Sequence, residues 1–467
     1  MQPRSKNLSA WATLWFALAA ILSFHLAYTM ENCQILLVVF LYCLFRLAGV
    51  KTSRLAFYIG MGIGLAIYAP QLSFFWRIFQ AGAIPLWLIL SFWPGLFLLL
   101  GKACLVRFGP VGWACAAPFV WTGLEYSRSE LYYFRFSWLN AGYAFSDSGG
   151  LHYLASYGVY GIGFVLMILA VFLGVVRTLG WSGRILAGTV VALLLLYPAL
   201  APAPQNSPQQ SFRVTGVQLE FPSLVEAESA LDRAIDKFPE TDLLVLSEYT
   251  FNGPVPKLIK RWCRKHQKYL VAGGEDPISA SQYYNTAFVV SPGGEIVFWQ
   301  AKCVPIQFFK DGLPAPSQRL WNSPWGKLGF GTCYDASYTR VTDELIRQGA
   351  QGLILPTMDV ADWGIRQHQL HARIVPMRAA EYAVPMFRLC SSGISQFADP
   401  TGRVLDSAPF PGQGAIMSAP MRLVFRGRMP PDRWLAPLSV GITVALSAWL
   451  AIDCLRHRFS NSKIGAK

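Results

Sequence analysis

Three side chains capable of acid–base or nucleophilic chemistry each lie where a predicted β-strand ends. They are Glu248 in LLVLSEYTF, Lys302 in VFWQAKCVP and Cys333 in GFGTCYD. A thiol with an ordinary pKa of about 8.5 is mostly protonated at neutral pH, so a nucleophilic cysteine needs a base or a neighbouring cation. Glu248 can supply the base. Lys302 and the backbone N–H of Tyr334 can stabilise the oxyanion that forms when a thiolate attacks a carbonyl. The predicted chemistry is acyl transfer through a thioester.

Each of the three residues also has an ordinary structural explanation. A single cysteine at a strand end is more often an inert core residue, and glutamate and lysine at such positions are usually solvated. The order Glu, Lys, Cys is informative because strand ends meet at the crevice of an open α/β sheet. We therefore expect the three side chains to converge at the edge of one sheet.

The elements that position these residues are predicted between residues 212 and 430. Short apolar strands alternate there with amphipathic helices, beginning with FRVTGVQLE, LVEAESALDRAI and DLLVLSE. This pattern indicates a layered α/β domain with helices on the sheet faces. SPGG between two strands predicts a hairpin and so a mixed sheet. The Pro-, Gln- and Ser-rich residues 202–211 predict a linker before the domain.

The rest of the chain is predicted to be a membrane α-helical bundle. Hydrophobic residues make up 53% of the 467 residues, and a helix needs about 20 apolar residues to cross a bilayer. Eight stretches approach that length, at 10–29, 34–50, 55–76, 83–103, 109–127, 156–176, 183–201 and 434–455. We therefore predict transmembrane helices one to seven in residues 1–201, and helix eight with a cytoplasmic tail in residues 431–467.

The distribution of charge predicts the orientation of these helices. Thirteen Lys and Arg residues lie in the connections on one side, and three lie on the other. Because Lys and Arg collect on the cytoplasmic face, both termini are predicted to be cytoplasmic and residues 202–433 external. That external segment contains 24 basic and 21 acidic residues, so most of the net charge of +14 lies in the membrane part, where it reflects the orientation of the helices. The charge therefore does not predict nucleic-acid binding.

No metal and no cofactor is expected. The nine cysteines show no zinc-ligand spacing. His368 and His371, with Asp359 and Asp362 upstream, are the nearest approach to a metal site, but such spacing is common by chance.

These residues resemble the nitrilase superfamily, whose Glu-Lys-Cys triad occurs in this chain order on an αββα sandwich. An external nitrilase-like domain inserted between a seventh and an eighth span is similar to the bacterial apolipoprotein N-acyltransferase family. The similarity covers nearly the whole chain. It rests on segments that follow the family's order: APFVWTGLEYSRSE, FSWLNAGYAFSD, LASYGVYGIGFVL, LSEYTF, GTCYDASY, DVADWG, HARIVPMRAAEYAVPMFRLCSSG and ADPTGRVL.

The resemblance implies a two-step exchange. The cysteine takes an acyl chain from a phospholipid donor, releasing a lysophospholipid. The thioester then acylates the free α-amine of the diacylated N-terminal cysteine of an apolipoprotein acceptor. The resemblance also implies a multi-pass protein of the bacterial inner membrane, with the catalytic domain on the periplasmic side, and we expect a monomer.

The same resemblance implies roles for individual residues. Glu248 is the expected base and Lys302 the expected oxyanion partner. Tyr334 and Asp335 are expected to shape the pocket beside the nucleophile, and Trp363 of DVADWG to support the site or bind substrate.

The chain departs from the family's pattern at three positions. A second essential glutamate usually follows the lysine, but KCVPIQFFKDG offers only Asp311 as a candidate for its role. A tryptophan is usual after the first strand of the domain, where VQLEFPSLVEAE has Phe221 at best. Cys303, directly after the lysine, is either a core thiol or a disulfide partner in an oxidising compartment.

Two alternative functions remain open at this point. One is a membrane-tethered amidase or nitrilase acting on a small C–N substrate, and the other is a degenerate, non-catalytic homologue that binds lipid. Eight spans favour the acyltransferase, because a tether needs only one. The intact Glu-Lys-Cys set weighs against the non-catalytic homologue.

Overall fold

The computed structural model describes residues 7–147, 149–200 and 211–464. Most of the predicted linker at 202–211 lies outside the described residues. The chain divides into two compact units. Within the described residues, the helical unit takes in the ranges Met1–Ala144, Ser156–Leu200 and Pro431–Lys467, and the α/β unit takes in Phe145–Ala155 and Ala201–Pro430. Residues 145–155 thus group with the α/β unit, and the predicted domain boundaries remain a prediction.

The described residues form α-helices and β-strands that are numbered here in chain order. The helices are α1 Ala10–Thr29, α2 Leu36–Leu47, α3 Ser53–Gln71, α4 Phe74–Phe79, α5 Ala83–Tyr126, α6 Leu151–Tyr157, α7 Val159–Val175, α8 Trp181–Leu196, α9 Leu224–Lys237, α10 Lys257–His266, α11 Thr339–Arg347, α12 Ile365–Ala372, α13 Ile374–Tyr382 and α14 Asp432–Ile464. The strands are β1 Phe212–Val217, β2 Leu243–Val245, β3 Tyr269–Pro277, β4 Tyr283–Val290, β5 Ile296–Ala301, β6 Leu320–Ser323, β7 Gly326–Phe330, β8 Gly352–Thr357, β9 Met386–Cys390, β10 Ser395–Ala398, β11 Val404–Ala408 and β12 Ile416–Met421.

Local sequence signals explain where several helices of the helical unit begin or break. The side chain of Ser9 accepts a hydrogen bond from Ala12 N at 3.2 Å, which satisfies a backbone N–H that the first turn of α1 leaves without an intrahelical partner. Helix α5 is interrupted at Gly109, where φ is 73° and ψ is −174°. Its two parts therefore correspond to the predicted spans at 83–103 and 109–127.

Five helical stretches among the described residues are long and apolar enough to cross a membrane. They are Ala10–Thr29, Phe74–Leu131, Val159–Thr178, Trp181–Leu200 and Asp432–Arg456. Helix occurs in each of the eight predicted segments, but α2 has only 12 residues. The count of eight crossings therefore remains a prediction.

The α/β unit contains two six-stranded sheets. Their strand orders are β12-β1-β2-β3-β4-β5 and β11-β10-β9-β8-β7-β6. In the first sheet, β1, β2 and β3 are parallel, whereas β3, β4 and β5 are antiparallel neighbours joined partly by the SPGG turn. The predicted mixed sheet and the two-sheet, nitrilase-like α/β fold are confirmed.

An apolar core fills the space between the two sheets. In β2, Leu243 and Val245 belong to this core, while Leu244 packs with the residues of α9 and α10 on the outer face. A strand buried on both faces is apolar at every position, which explains the uninterrupted LLV of β2. On the second sheet, Leu345 of α11 packs over Gly329 of β7, and α13 contacts β9 and β10.

Candidate active site

Glu248, Lys302 and Cys333 lie at the ends of strands from both sheets. Glu248 comes three residues after β2, Lys302 directly follows β5, and Cys333 comes three residues after β7. The first two strands belong to one sheet and β7 to the other, so the expectation of one shared sheet is wrong. The face-to-face packing of the sheets brings their strand ends together instead. The relative exposures of the three residues are 2%, 0% and 4%, so the site is closed to bulk water.

A close approach of two backbone segments places Glu248. A side chain on Gly273 of β3 would put its Cβ 2.5 Å from the Cα of Glu248, so only glycine allows this approach. The backbone N–H of Gly273 donates to Ser247 O at 3.1 Å, which fixes the turn after β2 along β3. The carboxylate is therefore positioned by a strand rather than by a free loop.

Lys302 lies between two carboxylates. Its Nζ is 2.8 Å from Glu248 Oε1 and 2.7 Å from Asp311 Oδ2. Asp311 also accepts hydrogen bonds from the Tyr249 hydroxyl at 2.9 Å and from the backbone N–H of Ile306 at 2.6 Å. Asp311 is thus the second carboxylate of a buried cluster centred on the lysine.

The backbone of Met358 connects the carboxylate to the thiol. Its N–H donates to Glu248 Oε2 at 2.7 Å, and its carbonyl oxygen accepts from Cys333 Sγ at 3.5 Å. Glu248 Oε1 already accepts from Lys302 and from Asn285 Nδ2, at 2.8 and 2.6 Å. Oε2 has one donor where Oε1 has two, so Oε2 keeps the greater free acceptor capacity.

The turn that contains Cys333 has a strained backbone and is held in place by hydrogen bonds. Cys333 has φ of 49°, in the left-handed region that L-residues rarely adopt, and it begins the 3₁₀ helix Cys333–Ser337. The carboxylate of Asp335 accepts from Thr332 N at 3.0 Å. It also accepts from the backbone N–H groups of the two residues after Lys302, at 3.0 and 2.7 Å. Asp335 therefore fastens the loop that follows Lys302 to the turn that contains Cys333.

The electrostatics of the site keep the thiol protonated and the lysine charged. Burial raises the pKa of Cys333 well above its ordinary value, Glu248 adds to this, and Lys302 opposes it. Burial also raises the pKa of Glu248, against the influence of Lys302. For Lys302 burial acts to lower the pKa, but the charges of Asp311 and Glu248 outweigh it and raise the pKa well above the ordinary value. The thiol thus depends on a base at the moment of attack.

A second buried cluster lies beside Cys333. The sequence alone did not indicate a functional role for it. Asp359 accepts from Arg388 Nη2 at 2.5 Å and contacts His371 Nδ1 at 2.7 Å. Its backbone N–H donates to Ser391 Oγ at 3.1 Å. Because Asp359 directly follows Met358, this cluster fixes the peptide that joins the carboxylate to the thiol.

The histidines considered for a metal site contribute to this cluster. Burial lowers the pKa of His371 to about 4, so its imidazole is neutral at neutral pH and donates to Asp359. His368 stacks on Phe410, with 4.1 Å between the ring centroids. Asp362 is exposed. Among the residues that the structure describes, no group of three or more His, Cys, Asp or Glu could hold a metal ion.

The other predicted site residues lie in adjoining segments. Tyr334, directly after the nucleophile, packs edge-to-face on Tyr338 with 5.0 Å between ring centroids. Trp363 is half-buried, and the centroid of its ring lies 6.1 Å from that of Phe309, in the loop that follows Lys302. All nine cysteines are free, so of the two alternatives considered for Cys303 the structure shows the unpaired thiol.

Comparisons with known proteins match both parts of the chain. The family "Apolipoprotein N-acyltransferase N-terminal domain" matches residues 17–172, and "Carbon-nitrogen hydrolase" matches residues 225–421. The apolipoprotein N-acyltransferase of Geobacter metallireducens is 25% identical over 442 residues, covering 80% of this chain and 82% of the relative. That of Azotobacter vinelandii is 26% identical over 454 residues, covering 85% and 86%. A solved carbon–nitrogen hydrolase from Helicobacter pylori G27 is 19% identical with a TM-score of 0.41, covering 46% of this chain and 90% of that chain.

A match to the carbon–nitrogen hydrolase family, together with several helices long and apolar enough to cross a membrane, indicates a membrane member of the nitrilase superfamily. The N-terminal family match and the relatives aligned over 80% and 85% of the chain support, more particularly, an apolipoprotein N-acyltransferase. The resemblance noted from the sequence motifs is confirmed.

Proposed function

We propose that this protein transfers an acyl chain from a phospholipid to the α-amino group of the N-terminal diacylglyceryl-cysteine of lipoproteins, through a thioester on Cys333. The observation that supports this proposal is the buried arrangement in which Met358 links Glu248 to Cys333 and Lys302 pairs with Glu248. That arrangement provides a base, a cation and a thiol in one water-excluded site, as acyl transfer requires.

In the first step, Glu248 Oε2 takes the proton of the Cys333 thiol as the sulfur attacks the ester carbonyl of the phospholipid. The carbonyl oxygen becomes an oxyanion. The Lys302 ammonium, which pairs with Glu248 and Asp311, and the backbone N–H of Tyr334 stabilise the oxyanion. The C–O bond then breaks, the leaving glycerol oxygen takes the proton from Glu248, and a lysophospholipid departs.

In the second step, the α-amine of the acceptor attacks the thioester carbonyl. Glu248 accepts a proton from the amine, the C–S bond breaks, and the sulfur is reprotonated as the amide product leaves. The same base therefore serves both half-reactions, and the enzyme alternates between free and acylated forms. Exclusion of water from the site protects the thioester from hydrolysis.

We further propose that the protein lies in the bacterial inner membrane as a multi-pass monomer, with both termini cytoplasmic and the catalytic domain periplasmic. The excess of basic residues in the connections of one side supports this orientation. Both proposed substrates carry acyl chains with little solubility in water, so the membrane is the phase that supplies them.

Asp311 is proposed to fill the role of the family's second glutamate. In Asp311→Ala, Lys302 keeps Glu248 as a partner but loses its other carboxylate, and Ile306 N–H loses its acceptor. We expect an incomplete loss of about 10- to 100-fold in the acylation rate, because the lysine is displaced rather than removed. The measurement is single-turnover formation of acyl-enzyme. The exposed Asp236→Ala on α9 is the matched control, and an unchanged rate in Asp311→Ala would exclude Asp311 from the mechanism.

The pH dependence of acylation should report the ionisation of Glu248. The base must be ionised to take the thiol proton, and burial raises its pKa, so the rate should fall as the pH falls. The midpoint is expected above the ordinary glutamate pKa of about 4.3. Glu248→Gln should remove the carboxylate midpoint and leave only a slow residual rate that keeps rising with pH as the Cys333 thiol itself ionises. A wild-type midpoint at or below the ordinary value would argue against Glu248 as the base.

The direct test of function is product analysis in a reconstituted system. The purified protein is incubated in phosphatidylethanolamine vesicles with a synthetic diacylglyceryl-cysteine peptide. The proposal predicts equal amounts of lysophospholipid and N-acylated peptide. Turnover of a small amide without lipid consumption would support the tethered amidase instead. Lipid binding without any turnover would support the non-catalytic homologue.

A further inference from the structure

Asn285 contacts all three members of the buried charge cluster. This fully buried residue lies near the start of β4, and its Nδ2 donates to Glu248 Oε1 at 2.6 Å and to Asp311 Oδ1 at 2.8 Å. Its backbone carbonyl accepts from the N–H of Lys302 at 2.7 Å. One residue therefore fixes the backbone of the lysine and the side chains of both acids.

The orientation of the Asn285 amide is fixed by its neighbours. The NH2 group must face the two carboxylates, because the reverse orientation would place the amide oxygen against two acceptor groups. The amide oxygen has no hydrogen-bond partner among the residues that the structure describes. A buried acceptor without a partner costs stability. Asn285 is nevertheless placed here because the NH2 group of the same amide binds both carboxylates.

The charges of the cluster indicate why an NH2 group is needed there. Two carboxylates surround a single ammonium, so the ionised cluster has an excess of negative charge. Two buried carboxylates near each other tend to retain a proton. One hydrogen of the Asn285 amide bonds Asp311, and the other bonds Glu248 Oε1 and favours the ionised form of Glu248, which leaves Oε2 as the basic oxygen.

We propose that Asn285 is a positioning residue for acyl transfer, whose amide holds Glu248 and Asp311 on either side of Lys302. The proposal rests on the proposed function of this site. Asn285 does not contact the reacting atoms, and it acts through the base that does.

The first test compares Asn285→Ala with the wild type and with Asn322→Ala, a control at an exposed asparagine of β6. Removal of the amide deprives both carboxylates of a donor. The single-turnover acylation rate should fall about 10- to 100-fold with the KM for phosphatidylethanolamine unchanged. The acid limb of the rate profile should move to higher pH, because Glu248 then retains its proton more readily. Asn285→Ala with the wild-type acid limb would overturn the proposal, since a merely structural residue would lower the yield of folded protein without moving this limb.

The second variant, Asn285→Asp, is isosteric and keeps the volume of the buried side chain. Its carboxyl group can donate one hydrogen bond when protonated and repels both acids when ionised. The variant should therefore keep the acid limb of Glu248 and also lose activity as the pH rises and the new carboxyl group ionises, an alkaline limb that the wild type lacks. A profile in Asn285→Asp that parallels the wild type would contradict the proposal, even if Asn285→Ala fails to fold.

Different results would contradict the proposed function and the proposed role of Asn285. If the wild type forms no acyl-enzyme, the proposed function is wrong. If the wild type forms it and both Asn285 variants keep its rate and pH profile, the function stands and the role of Asn285 is wrong.

Discussion

Replacing Cys333 by serine is expected to lower acyl transfer by more than about 10³-fold, because the reaction loses its nucleophile. A serine hydroxyl holds its proton much more tightly than a thiol, and the single carboxylate of Glu248 is too weak a base to remove it. The change replaces one atom in a buried position, and serine can adopt the backbone φ of 49° as readily as cysteine. The measurement is transfer of a labelled acyl chain to a diacylglyceryl-cysteine peptide in membranes.

A matched control separates loss of the nucleophile from loss of a thiol in general. Cys454 is exposed in α14, so Cys454→Ser should retain wild-type transfer. Equal expression and thermal stability of the two variants would show that Cys333→Ser fails in chemistry rather than in folding. Substantial activity in Cys333→Ser would exclude the thioester mechanism.

Replacing Lys302 by methionine is expected to abolish transfer and to destabilise the α/β unit. Lys302 is fully buried and paired with Glu248 and Asp311, so its removal leaves two buried carboxylates without a cation. Breaking a buried pair in this way costs about 3–5 kcal/mol in the free energy of unfolding. Denaturant unfolding measures this loss, and Lys327→Met at an exposed position of β7 is the control.

The destabilisation in Lys302→Met should depend on pH in a defined direction. Without the ammonium, which lowers it, the pKa of Glu248 in the folded variant should rise further above its value in the unfolded chain. The folded variant then binds more protons than the unfolded one, so its stability is greatest in acid and falls as the pH rises through the raised pKa. A stability loss that is independent of pH would contradict the pairing that the structure shows.

The side chains that meet in the candidate site could be predicted because each carries a chemical signature at a strand end. Glu248, Lys302 and Cys333 follow strands that are continuous apolar runs, and the chain order Glu, Lys, Cys limits the chemistry. Their distribution over two sheets could not be predicted in this way. Sheet membership depends on which strands pair, and short apolar strands such as LLV do not encode their neighbours.

The groups that orient these three side chains have weaker signals in the sequence. Met358 acts through its backbone N–H and carbonyl, which leave no trace in the residue type. Asp359 and Arg388 are 29 residues apart in sequence and meet only because β8 and β9 are paired. Asn285 had a detectable signal, because asparagine is depleted in strands and here it occurs near the start of the apolar run NTAFVV.

In the helical unit, the presence of helix could be predicted from the sequence, whereas the number of membrane crossings could not. The structure has helix in every segment where apolar length and composition predicted it, because such stretches have few other stable conformations. Composition alone did not fix how many of these helices cross the bilayer. The 12 residues of α2 fall short of the roughly 20 that a crossing requires.

Intact-mass analysis of the protein after incubation with phosphatidylethanolamine, without any acceptor, tests the thioester most directly. The proposed mechanism predicts a mass increase of one acyl group that neutral hydroxylamine removes and that maps to the peptide containing Cys333. Addition of a diacylglyceryl-cysteine peptide should then discharge the adduct and yield the N-acylated product. An acyl group on another residue, or transfer to the peptide without any acyl-enzyme, would contradict it.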